Sequence, residues 1–232
     1  MLTRVCTDPK WCFLFTAISQ AHLIAFLYSS YLVLWLTSFV STGQIADEKS
    51  VEMVFSKMTL FSIPSTILTI LVTGFLADYI KPVLIIAPAF FGRAVTTYMF
   101  KLEEEPQETR AFALVSLLIV FSILQVISLE SLFMKNLPRD VRGAMTITLT
   151  FFMGISALAF NLVGGPVHDS MGPAAPFVLV SIFDAFFCVF AIILGLTGHL
   201  TYSDPGAEKA PQGEEEIDDE GTSPVQMNSE QQ

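Results

Sequence analysis

An all-α membrane protein, with six transmembrane helices arranged as two inverted three-helix repeats, is the fold class predicted by three observations. The first is composition: the 232 residues are 53% hydrophobic and only 15% charged, too few charges to clothe a soluble surface around that much apolar matter. The second is that the apolar residues are gathered into long runs; residues 58–77 carry no charge and residues 82–100 carry one. A helix rising 1.5 Å per residue needs about 20 apolar residues to cross a hydrocarbon core of roughly 30 Å. The third is a repeat: between those two runs lies Gly74-Phe75-Leu76-Ala77-Asp78-Tyr79-Ile80-Lys81-Pro82, and its Gly-x-x-x-Asp pattern recurs 91 residues later as Gly165-Pro166-Val167-His168-Asp169. Each copy closes the middle run of a set of three, as expected of three-span repeats of opposite topology.

The spans follow in order. Residues 11–39 form a retained first span, too long for the apolar region of a signal peptide and followed by no small-residue cleavage site. A loop holding Asp47, Glu48, Lys49 and Glu52 leads to the second span, 58–77, with Pro64 as a kink. The polar reversal at Asp78 and Lys81 leads to the third span, 82–100, with Arg93 in its middle. An acidic loop containing Glu103, Glu104, Glu105 and Glu108 precedes the fourth span, 111–134, which contains Gln125 and Glu130. The basic reversal through Lys135, Arg139 and Arg142 opens the fifth span, 144–167, and the sixth, 177–197, encloses Asp184. Residues 1–200 thus form one membrane domain, and 201–232 read as a disordered acidic tail rich in Pro, Gly, Glu and Ser.

The net charge of −10 says little about the membrane domain, because from Asp204 onward nine acids and one lysine account for −8 of it. Orientation follows from the cations. Six spans put both ends on one side, and that side collects Arg4, Lys10, Lys81, Lys135, Arg139, Arg142 and Lys209, against Lys49, Lys57, Lys101 and Arg110 on the other. Loop cations face the cytoplasm, so both termini and the Asp78 turn are expected there, in a multi-pass integral membrane protein. Cys6, Cys12 and Cys188 have neither metal nor paired spacing.

Several residues within this frame resemble the major facilitator superfamily of secondary transporters, specifically its six-span carboxy-terminal half. Gly74, Leu76, Ala77 and Asp78 match the family's signature after the second span of a half, and Lys81 supplies one of its cations, while Pro82 replaces its further glycine and basic run. Pro138 with Arg142 and Gly143, Gly154, Gly165, Asp169, Gly172, and Pro176 with Phe177 are similar to the fourth-to-sixth-span pattern of such a half. The resemblance implies half of a major facilitator fold and transport of a small solute by alternating access. It also implies a second six-span half, another copy or another chain, to complete the cavity. The alternative is a non-transporting scaffold or fragment that associates with another transporter half.

Ionisable and polar residues within spans are the site candidates. Gln20, His22, Tyr28 and Gln125 lie on the first and fourth spans, which line the cavity in the resembled fold. His22 and Gln125 have two readings, solute or proton handling and an interhelical hydrogen bond. Glu130 is expected to brace the cytoplasmic gate by a salt bridge to Lys135, Arg142 or Lys81, with proton coupling as the other reading. Arg93 and Asp184, both near mid-membrane, are expected to pair, since each charge alone would cost several kcal/mol. The resemblance gives Asp78 a gating role. Gly154, Gly164, Gly165 and Asn161 read as packing positions of the fifth span. No metal cluster, phosphate loop or nucleophile motif points to an enzyme or a cofactor, and the basic reversal is too short for nucleic acid.

Overall fold

A computed structural model of the chain describes residues 9–137 and 141–200, apart from the Asp78 side chain; the acidic tail, Arg4, Cys6, Pro138 and Arg139 lie outside them. The described residues are helical and contain no strand, and six helices are long and apolar enough to cross a membrane. They are α1 (Pro9–Ser41), α2 (Glu48–Tyr79), α3 (Val83–Met99), α4 (Thr109–Asn136), α5 (Arg142–Met171) and α6 (Ala175–Leu196).

Three boundaries differ from the sequence expectation. α2 starts at Glu48, so the charged stretch expected as loop forms its first turns: the Asp47 carboxylate accepts a hydrogen bond from the Ser50 N–H (2.8 Å) and caps the helix. At its other end α2 runs to Tyr79, which places Gly74 and Asp78 in its last turns, and the reversal is only Ile80 to Pro82. Proline disfavours a helical conformation in the residue before it, which explains why the chain leaves the helix there. α5 likewise continues through Pro166 and Asp169 to Met171, and turns at Gly172, whose φ of +95° suits glycine. The two Gly-x-x-x-Asp copies therefore occupy equivalent places, the carboxyl-terminal turns of α2 and α5, within helices and not in the turns themselves.

Packing follows an exchange pattern. α3 and α6 pack intimately, α4 lies against α2, and α1 lies against α5, so the first helix of each triplet meets the middle helix of the other. The core has two apolar clusters at opposite ends of the bundle. One gathers Phe13, Leu14 and Ile18 with Phe90, Phe133 and Ala191; the other gathers Leu32, Trp35 and Leu36 with Phe100, Leu118 and Phe177. On α1, α3, α4 and α6 the residues between the two clusters are polar, and they include Gln20, Arg93, Gln125 and Asp184, all buried.

α1 is the irregular element. Its helical ladder stops at Ala21, and the next bonds run from Leu23 N–H to Gln20 O (3.1 Å) and from Ala25 N–H to His22 O (3.3 Å). α-Helix returns over Ile24–Phe26, a π-helical segment, Leu27–Tyr31, follows, and α-helix resumes at Leu32. No proline or glycine occupies the break, so its cause is tertiary. The π segment approaches α5 closely at Gly164: a side chain there would collide with the Tyr31 ring, which packs edge-on against Phe160 at 5.5 Å. Gly154 and Gly165, expected as close-packing positions, meet nothing within 4 Å.

Candidate functional site

The polar layer is organised by Arg93 of α3. Its Nε donates to Asp184 Oδ2 (2.8 Å), and its Nη2 donates to Asp184 Oδ1 (2.6 Å) and to Gln20 Oε1 (2.5 Å). Its Nη1 donates to the Ala21 carbonyl at 3.2 Å. That carbonyl is available because α1 breaks there; in a continuous helix it would accept from Ala25 N–H, which bonds His22 O instead. The break in α1 and the arginine on α3 thus satisfy each other. The side chains of Arg93 and Asp184 are 1% and 0% exposed, so a two-bond fork and near-complete pairing of the guanidinium's donors are what make burial of the charges tolerable.

Two glutamines complete the layer. Gln20 donates from Nε2 to Asp184 Oδ1 at 2.8 Å, and Gln125 approaches the same oxygen at a longer 3.5 Å. Both amides are engaged by the ion pair and buried, and Gln20 also borders an apolar cavity between α1, α5 and α6. Among the described residues, Gln125 Oε1 and the hydroxyls of Ser19 and Ser128 are buried without a hydrogen-bond partner. Gln125 and Ser128 are three apart on α4 and therefore share a face.

Beside this closed network lies an accessible pair. His22, at the break itself, has its Nε2 2.9 Å from Glu130 Oε1 on α4, with side chains 32% and 45% exposed. The expectation that Glu130 meets Lys135, Arg142 or Lys81 is corrected by this contact. Lys135 Nζ donates to the Ala77 carbonyl (3.0 Å), Arg142 Nη2 donates to the carbonyls of Met134 (3.3 Å) and Leu137 (3.4 Å), and Lys81 stands exposed in the α2–α3 reversal. Lys135 and Arg142 cap helix ends, where the carbonyls and the dipole favour them. Further along α1, Tyr28 Oη lies 2.6 Å from Thr59 Oγ1 of α2, next to Phe55.

The structure therefore brings Gln20, Gln125, Arg93 and Asp184 into one cluster, sets His22 with Glu130 against it, and leaves Tyr28 about two turns away on α1. Sequence reasoning missed Thr59 as the partner of Tyr28 and the Ala21 carbonyl as a ligand of Arg93. A hydroxyl at helical spacing carries no signal of its own, and a backbone acceptor carries none at all. Among the described residues no group of three His, Cys, Asp or Glu could hold a metal ion. Comparison with known proteins gives no match to a family model, a curated protein or a solved structure.

Proposed function

We propose that the chain is one six-span half of a secondary transporter, similar to the carboxy-terminal half of a major facilitator, which moves a small solute by alternating access. The observation that carries this reading is the interruption of α1 at His22, where a part-exposed His22–Glu130 pair stands next to a fully neutralised charge cluster. Broken helices with ionisable groups near mid-membrane are characteristic of transport sites, because freed carbonyls and titratable side chains there can hold a solute or an ion. The exchange packing of the two triplets and the equivalent positions of the two Gly-x-x-x-Asp motifs support an inverted repeat.

On this reading both termini are cytoplasmic and the exposed faces of α2 and α5 receive a second half, another copy or a different chain. His22, Glu130 and Tyr28 handle solute, while Asp78 and Lys81 act on gating. The alternative, a scaffold that does not transport, is favoured by one observation: Gln20 and Gln125, two of the four nominated solute ligands, are enclosed in the Arg93–Asp184 network.

A test independent of solute identity uses a chain whose native cysteines are replaced by serine and Tyr28 by cysteine, reconstituted in vesicles and exposed to a membrane-impermeant maleimide. Alternating access predicts labelling from either face, with Asp78→Asn changing the ratio between faces. Position 28 unreactive from both faces would leave only the scaffold.

A further inference from the structure

Two apolar cavities line the same side of α6. The larger, about 630 Å³, lies between α1, α5 and α6 and is walled by Leu23, Phe160, Val163, Phe183, Phe186 and Phe187. The smaller, about 360 Å³, lies between the ends of α5 and α6 and is bounded by Val167, Met171, Ala174, Ala175 and Lys101. Leu179 and Ile182 border both, so the two form one groove. It begins beside Gln20 in the polar layer and ends at the bundle surface opposite Pro9.

Length, lining and charge together identify what fits this groove. From Ala175 to Phe187 there are 12 helical steps, about 18 Å at 1.5 Å each, against about 15 Å for one leaflet of the hydrocarbon core. The lining is almost wholly hydrocarbon and aromatic, and Ile182 (62%) and Phe186 (62%) are open on the outer side of α6. Thr16, one of the few hydroxyl-bearing lining residues, bonds the carbonyls of Cys12 (2.8 Å) and Phe13 (3.1 Å) in its own helix. At the surface end Lys101 is the only charged lining residue and forms no ion pair or hydrogen bond among the described residues; of the acids in the same loop, Glu105 and Glu108 border a separate recess with Gln44, and exposed Glu104 lies outside the lining. Its neighbour Glu103 is turned inward, 7% exposed, with Arg110 Nε 3.3 Å away. Phe100, stacked on Phe177 at 4.6 Å, fixes the chain so that Lys101 points outward.

We infer that this groove is a binding site for an anionic phospholipid, one acyl chain lying between α1, α5 and α6 and the acidic head group held at Lys101. The site is independent of whether the chain transports. A lipid in it would touch Leu23 and Gln20 at the break in α1, so its presence would support the conformation of that helix.

The test is photolabelling of the full chain in phosphatidylcholine nanodiscs doped with phosphatidylglycerol that carries a diazirine at the end of its acyl chain. Adducts are expected to concentrate on residues 156–163 and 182–187. The yield should exceed that of the same diazirine on phosphatidylcholine about fivefold, the preference one lysine at a membrane surface confers. Lys101→Gln should bring the two yields together while Lys101→Arg preserves the difference, and Ala159→Trp, which fills the groove from an exposed position, should lower both yields. Adducts spread evenly over the open face of α2 at Leu60, Leu68 and Leu71, or a head-group ratio unaffected by Lys101→Gln, would overturn the assignment. So would disulfide cross-linking of a Val163→Cys chain to a second copy, since the groove would then be an interface.

Discussion

Asp184 has three partners on three other helices, which makes it the residue whose loss reaches furthest. Replacing it by leucine strands the Arg93 guanidinium in a site 1% exposed, and replacing Arg93 by methionine strands the carboxylate; each is expected to cost about 3–5 kcal/mol. The double replacement removes both charges and should recover much of that loss. A thermal-denaturation cycle in detergent measures the coupling, and strictly additive losses would show that the pair is not a unit. The pair itself was legible in the sequence, because two opposite charges on apolar spans have few other ways to be neutralised. That Gln20 and Gln125 join it was not, since an amide on a helix face is compatible with either a neighbour or a solute.

At the scale of elements, the six spans were legible because apolar length is a direct demand of the bilayer, whereas their ends were not. Charges at Glu48, Lys49 and Glu52 suggested a loop, yet a helix can project beyond the hydrocarbon with charged turns once Asp47 caps it. The break in α1 carried no sequence signal, because the group that bonds its freed carbonyl, Arg93, is on a different helix. The contact of Tyr31 in the π segment with Gly164 gives a prediction: Gly164→Leu forces the Tyr31 ring out of a site where it is 4% exposed. The expected loss is about 1–3 kcal/mol, in the range of overpacked cores, and α1 should separate from α5. Gly154→Leu, at a position open to its surroundings, should leave the melting temperature unchanged. Equal effects of the two substitutions would show that the close approach at Gly164 contributes nothing particular.

For the molecule as a whole, the even number of spans and the clustering of Trp11 with Leu137 and Leu200 at one end of the bundle put the ends of α1 and α6 on one side. The asymmetry of seven cations against four then predicts which side. A cysteine introduced at Glu104 should react with an impermeant reagent applied outside intact cells, and one at Gln212 only after permeabilisation; the reverse pattern would invert the orientation. α2 and α5 are the helices least covered by the rest of the bundle, so they are the surfaces on which a second half would be sought.

The π segment Leu27–Tyr31 also constrains how the length of α1 can change. A turn closed by i→i+5 bonds holds one residue more than the α-helical turn it replaces. Deleting a single residue there would convert the segment to ordinary α-helix with little rotation of Pro9–Ala21 relative to Leu32–Ser41, whereas deleting one from the α-helical turns on either side would swing one end against the other by about 100°. Only the second deletion would carry Gln20 and the Ala21 carbonyl away from Arg93 and take Phe13 and Leu14 out of the core. A single-residue deletion in α1 is therefore expected to be tolerated within Leu27–Tyr31 and to disrupt the polar layer anywhere between it and Ala21.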